Sequence, residues 1–195
     1  MAAHDLTFGV FVPQGWKMEL SSIADPQDKW AKAVEVAQLA EELGFDSLWV
    51  YDHFHNVPLP AHEAMFECWT TLAAISQRTS RIKLGQMVGC APYRNPGLLA
   101  KITSNIDVMS GGRLIWGVGA GWYDHEFTGY GYDFPKASDR IAMLRHGIPA
   151  DRTQAPVGAL EHARPQRTRA RASGHQMVVL HPADHVEVEH VINLI

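Results

Sequence analysis

Two hydrophobic rhythms alternate along this chain. "TFGVFVP", 7–13, is a short apolar, aromatic and β-branched run closed by Pro13, the mark of a buried strand. A helical period follows. Asp25-Pro26 supplies an N-cap and a first-turn proline, and the run to Leu43 sets Trp30, Ala33, Val34, Ala37 and Ala40 on one face. Gly44 ends it as a C-cap glycine. "FDSLWVYD", 45–52, predicts a second strand, "EAMFECWTTLAAISQRT" a second helix, and "RIKLGQMVG", 81–89, a third strand. Asn95-Pro96 repeats the capping signal. The helix through Met109 then presents Leu98, Leu99, Ile102, Ile106 and Met109, and Gly111-Gly112 stop it. "RLIWGVGAG", 113–121, predicts a fourth strand, "WYDHEFTGYGYDFP" a loop, and Ala137 to about Arg145 a last helix.

Strict β-α alternation, with strands apolar on both faces, means an α/β fold with a parallel sheet covered by helices. An open doubly wound sheet and a (β/α)8 barrel both satisfy it. A barrel usually takes ~250 residues and this chain has 195, so length alone favours the open sheet.

Composition divides the chain near residue 146. Every Phe, Trp and Tyr lies before that point, as does every lysine; the basic residues beyond it are arginines. "ARPQRTRARASGH", 163–175, offers little to bury against the entropy of ordering, so a poorly ordered tail is expected. Within it, only "QMVVLHPADHVEVEHVINLI" suits a strand or short helix. The expected organisation is therefore 1–145 as one unit and 146–195 as a tail of another kind.

The chain is 46% hydrophobic with a net charge of −4. That is ordinary for a globular protein and gives no electrostatic reason to expect nucleic acid or a membrane surface. Cys68 and Cys90 lack metal-type spacing and read as buried reduced thiols in a cytoplasmic protein. "MAAHDLTFGVF" lacks the basic and long apolar regions of a signal peptide. No apolar run approaches the ~18 residues of a membrane span.

In either architecture, functional groups collect at the carboxyl ends of the strands. The first strand ends on Gln14, Gly15 and Trp16; the second on Asp52, His53 and His55. The third ends on Gly89, Cys90, Tyr93 and Arg94; the fourth on Gly119, Ala120, Gly121, Trp122 and Glu126. Together they suit a flat aromatic ligand. His53 is a candidate general acid or base, with Asp52 or another carboxylate setting its charge; the bland reading is a satisfied loop histidine. His53 and His55 have metal-type spacing, yet the other strand ends supply no obvious further ligands. "GVGAG" is a weak dinucleotide fingerprint, because no helix opens directly behind it. Its glycines suit a planar ring lying against bare backbone, or simply a crowded strand. Arg94 and Tyr93 offer a cation and a donor near the mouth, while Arg113, at the opposite end, reads as structural.

Four blocks in this order and spacing carry a family resemblance: "FGVFVPQG", "AEELGFDSLWVYDHF", "WTTLAAISQRTSRIKLGQMVGCAPYRNPGLLAK" and "DVMSGGRLIWGVGAGWYDHEFTGYGYDFP". They resemble the luciferase-like monooxygenase superfamily over about residues 6–145. "DHF", "YRNP" and "GAGW…E…YG" look most like its coenzyme F420-dependent subgroup. The resemblance implies a TIM barrel, here reduced to about four β/α units, and overrides the preference from length. It implies an oxidoreductase or monooxygenase of small molecules that uses F420, with reduced FMN as the second choice. It also implies His53 beside the deazaflavin ring with Asp52 as its acidic neighbour. Met87, Val88 and Gly89 would support the ring's centre through a cis bond at Met87–Val88. Gly119, Gly121 and Trp122 would complete the wall. In the family's sugar-phosphate dehydrogenases a Glu follows the G-x-G. Trp122 holds that place here, and Val57 stands where those enzymes carry a loop Trp. Both departures argue against that substrate.

The resemblance stops at Arg145, and the change in composition there is of the kind a shifted reading frame or an unrelated spliced end produces. Sequencing the parent DNA for the family pattern in another frame checks that expectation. Two other functions stay open. One is a non-catalytic half-barrel or interaction protein, whose exposed barrel edges would pair with a second copy. The other is a metal-dependent barrel hydrolase using His53 and His55.

Overall fold

The caps place the helices. In the structure, a computed structural model that describes residues 7–58, 61–147, 174–180 and 192–194, Asp25 accepts from the Gln27 amide at 2.7 Å and starts α1 (Pro26–Glu42). Asn95 accepts from the Gly97 and Leu98 amides and starts α3 (Pro96–Ser110). Gly111 ends α3 in the left-handed region at φ 70, where a glycine costs least. The second helix, α2 (Cys68–Ser76), begins later than its periodicity predicts. Glu67 caps it through the Thr70 amide, and the preceding stretch is used elsewhere. There Glu63 pairs with the buried Lys29, and Phe66 packs edge-on against Trp30 of α1.

The strands are β1 (Gly9–Phe11), β2 (Ser47–Val50), β3 (Lys83–Cys90) and β4 (Leu114–Gly119), paired parallel in the order β1-β2-β3-β4. A doubly wound sheet reverses its order partway. This one never does, so right-handed crossovers lay every helix on the same side. That is barrel winding, and it corrects the open-sheet preference drawn from length. On the helix side, Leu48, Val50, Leu84 and Leu114 meet Ala33, Ala37, Leu72, Ile75, Leu99 and Ile106. Each large aliphatic side chain fully buried there contributes about 1.5–3 kcal/mol. The buried stripe of α3 is Leu99, Thr103, Ile106 and Ser110. Leu98 and Met109, expected on it, lie one position round the helix and are exposed.

The opposite face of the sheet is aromatic. Trp49 of β2 lies across Gly85 of β3, where a Cβ would meet its ring at 2.4 Å. Phe11 stacks on Tyr51 at 4.4 Å. Beyond β4 come two short helices, α4 (Asp124–Gly129) and α5 (Ala137–Gly147). Of two further strands, β6 (Ile192–Leu194) falls within the stretch expected to suit a strand, and β5 (Gly174–Leu180) begins two residues ahead of it. The poorly ordered stretch expected at 163–175 lies outside the described residues except for its last two. Backbone pairing is antiparallel between β4 and β5, over Trp116–Val118, and between β5 and β6. β5 therefore covers the β4 edge, and the β1 edge is the one left open in the described barrel unit.

Candidate functional site

Glu126 is the hub of the carboxyl-end cluster. Gly121, at φ 74, turns the chain out of β4, and α4 opens with Asp124 and Glu126 in its first turn, where acidic groups suit the helix dipole. Glu126 and Phe127 then point inward and are fully buried. The Glu126 carboxylate accepts from His53 Nδ1 at 2.9 Å, the Phe54 amide at 2.8 Å, the His55 amide at 2.9 Å and the Tyr93 hydroxyl at 2.7 Å. Burial works to raise this carboxyl. The His53 ring, the His55 amide and the Tyr93 hydroxyl outweigh it and hold Glu126 below its ordinary value. Burial, then the neighbouring Cys90 and Glu126, push Tyr93 far upward, so it keeps its proton and donates.

A carboxylate only accepts, so His53 carries a proton on Nδ1. Nε2 is the ring nitrogen left without a hydrogen bond among the described residues. The ring is held flat as well. Trp16 stacks on it at 4.6 Å with planes 3° apart, and Trp122 and Tyr123 meet it edge-on at 5.8 and 6.2 Å. Trp16 reaches this position because Gly15 turns at φ 99, where any Cβ would strike the Ala64 carbonyl oxygen. Asn56 donates to the Gly15 carbonyl, and Gln14 donates to the Tyr51 and Phe66 carbonyls. The turn after β1 is thus strapped to the turn after β2.

Asp52, expected as the acidic neighbour of His53, makes no hydrogen bond to its ring. It lies beneath, fully buried, accepting from Arg94 at 2.6 and 2.8 Å and from the Cys90 amide at 2.8 Å. Burial pushes the Asp52 carboxyl up, against Arg94 and the amide, which pull it down. The two-pronged contact is that of an ionised pair, and Arg94 is raised against its own burial by that carboxylate. Arg94, the expected cation at the mouth, also holds Glu67 at 2.8 Å. The acid that engages His53 is Glu126. It was legible as a polar strand-end residue, but its pairing, 73 positions away, was not.

The residues expected at a cofactor wall fall on β3, at the end of β4 and just after it. The sheet register shifts between Gln86 and Gly89, and the Met87–Val88 peptide is cis, at the bond the resemblance singled out. Met87 is 37% exposed and Trp122 59% exposed. Of the two reasons expected for the glycines, the crowded strand is the one visible among the described residues. A Cβ at Gly119 would meet Val88, one at Gly121 would meet Cys90 Sγ and Phe127, and one at Gly89 would crowd Gln86 and the Gly117 carbonyl. Their missing side chains make room for protein packing. His55 faces away from His53, with its Nδ1 3.2 Å from His125 Nδ1. His53 and His55 therefore do not converge, and no group of three His, Cys, Asp or Glu suited to a metal occurs among the described residues. The hydrolase alternative gains no support.

The fold and site meet a known pattern. The family described as luciferase-like monooxygenase matches residues 6–144. This chain belongs to that family. It is 38% identical over 119 residues to an F420-dependent glucose-6-phosphate dehydrogenase of Amycolatopsis mediterranei, a match covering 59% of this chain and 34% of that protein. An F420-dependent secondary alcohol dehydrogenase, solved with an F420–acetone adduct, aligns with a TM-score of 0.57 at 29% identity. That match covers 72% of this chain and 39% of the other. The oxygenating constituent of 3,6-diketocamphane monooxygenase from Pseudomonas putida, solved with FMN, aligns with a TM-score of 0.59. At 19% identity, covering 73% of this chain and 37% of the other, it shows likeness of fold. The chain thus spans about a third of the length of the curated relative. No helix among the described residues is long and apolar enough to cross a membrane.

Proposed function

We propose that this luciferase-family chain is the cofactor-facing wall of an F420-dependent oxidoreductase acting on a small molecule, with His53 as the group that works at the deazaflavin ring. One observation carries the reading. His53 is stacked on Trp16 and its Nδ1 is taken by a buried carboxylate, so Nε2 alone is free for chemistry. The donor set fits such a ring. Met87, Val88 and Trp122 offer apolar and aromatic surface at adjacent strand ends, and Trp16 Nε1 is a buried indole donor without a partner among the described residues. When bound, the deazaflavin supplies the two-electron hydride chemistry.

The chain's own residues do the rest. Trp16 and Trp122 keep the His53 ring in place and keep water off its faces. Nε2 accepts a proton from the substrate side or returns one to it. The Glu126 carboxylate stabilises the imidazolium while that proton is held, and Tyr93 fixes the carboxylate. Met87, Val88, Gly89, Gly119, Gly121 and Trp122 hold the ring by contact. FMN is the second choice of cofactor. Trp122, in the place where the sugar-phosphate enzymes carry a Glu, argues for a substrate other than a sugar phosphate. The free thiols of Cys68 and Cys90 suit the cytoplasm, and association with a second copy would use the open β1 edge.

The test is a parallel fluorescence titration of the chain with F420 and FMN. F420 is expected to bind in the micromolar range and more tightly than FMN. If neither binds below the millimolar range, the reading is wrong.

A further inference from the structure

His55 and His125 form a second imidazole pair, separate from His53. His55 stands on the loop after β2 and His125 on α4. Their Nδ1 atoms are 3.2 Å apart, with ring centroids at 5.1 Å and planes 75° apart. Each ring has its own support. The His55 amide is tied to Glu126 Oε1, and its ring sits against Gly129, where a Cβ would meet Cε1 at 2.7 Å. Tyr130 closes its other side at 5.2 Å. His125 is the chain neighbour of Glu126, which is fully buried. The two nitrogens are thus brought together by the frame around them.

Two neutral rings at this spacing can share one N–H···N hydrogen bond. The spacing is also that of two ligands on one ion: with Zn–N bonds of ~2.0–2.1 Å, tetrahedral ligands stand about 3.3 Å apart. Imidazole suits zinc, copper and nickel. We propose that His55 and His125 bind one divalent transition-metal ion, of the zinc or copper class, at the rim of the site. No third protein ligand stands with them among the described residues. The remaining positions on the ion are then open to water or to a donor atom of an arriving small molecule. The ion would tie the loop that carries His53 to the helix that carries Glu126, without touching either residue's own contact. The inference does not depend on which cofactor the chain uses.

Calorimetric titration of the metal-stripped full chain with zinc sulfate tests it. One ion per chain is expected, in the micromolar range. His55→Gln and His125→Asn are each expected to weaken binding at least about tenfold, the loss already typical when a mere support of a metal ligand is removed. His62→Asn, on an exposed loop, is expected to leave binding unchanged. Circular dichroism of the metal-free variants checks that each is folded, and His125, being exposed, is the safer of the two. Absence of zinc binding to the wild-type chain would overturn the proposal. So would binding undiminished in either variant, which would place the ion on other histidines.

Discussion

Asp52 and Glu126 are two buried carboxylates at the same end of the same sheet, and they do different work. Asp52 is saturated by a partner that is always charged: both oxygens accept from Arg94, and one also accepts from the Cys90 amide. Burial pushes that carboxyl up while Arg94 and the amide pull it down, and the two-pronged contact keeps it as an ion-pair partner. Glu126 is held by two amides, a phenol and an imidazole. One of those four partners, the imidazole, keeps a second ring nitrogen without a hydrogen bond among the described residues. The first carboxylate therefore fixes the turn after β2 to the turn after β3. The second holds the His53 ring through Nδ1. Burial alone does not mark a functional acid; the chemistry of its partners does.

Substitutions at the two acids should separate these roles. Asp52→Asn leaves Arg94 with Glu67 as its remaining ion-pair partner, and its side chain is 10% exposed. Breaking such a buried pair costs about 3–5 kcal/mol, so urea denaturation should show this as the largest loss of stability in the set. A loss below about 1 kcal/mol would mean that the pair is not what holds the turns. Glu126→Gln keeps one accepting oxygen and turns an NH2 group toward the remaining donors. The expected cost is about 1–3 kcal/mol, accompanied by weaker F420 binding out of proportion to the change in stability. Equal loss of binding in Asp52→Asn and Glu126→Gln, at matched folded fraction, would erase the distinction drawn between them.

Acid titration sharpens the same contrast. Glu126 lies below its ordinary value of 4.5 in the folded chain. It therefore contributes stability that is present above about pH 4.5 and lost as pH falls through the lowered folded value. Denaturation midpoints from pH 6 downward should fall less steeply in Glu126→Gln than in the wild type. Identical slopes would show that the carboxylate is not held as described. The smallest effect is expected at Tyr93→Phe, which removes one hydrogen bond to Glu126 and leaves Glu126's other three partners in place. About 1 kcal/mol should be lost, with His53 still engaged.

Much of the frame was legible in the chain itself. Asp25-Pro26, Asn95-Pro96 and Gly111 mark element ends by local chemistry, and local chemistry survives into the fold. Length misled, because it carries no information on winding; strand order does. The site was half legible. His53 and the bond at Met87–Val88 were singled out by position and resemblance. Asp52 or another carboxylate was expected beside His53, with the resemblance favouring Asp52; neighbours on an extended stretch point to opposite sides, and Asp52 turns to Arg94 instead. The true partner comes from α4, a helix hidden in a run of glycines and aromatics that reads as loop. Gly119 and Gly121 were read as room for a planar ring or as a crowded strand; the neighbours a side chain there would meet, Val88, Cys90 and Phe127, are visible only in three dimensions.

The central claim is that His53, held by Glu126, is the group that meets the cofactor. Binding isotherms of F420 to the wild-type chain and to His53→Ala, with folding of both checked by circular dichroism, test it most directly. The account predicts micromolar binding to the wild type and at least about tenfold weaker binding to His53→Ala, the equivalent of about 1.4 kcal/mol. Equal affinity in the two folded proteins would contradict it.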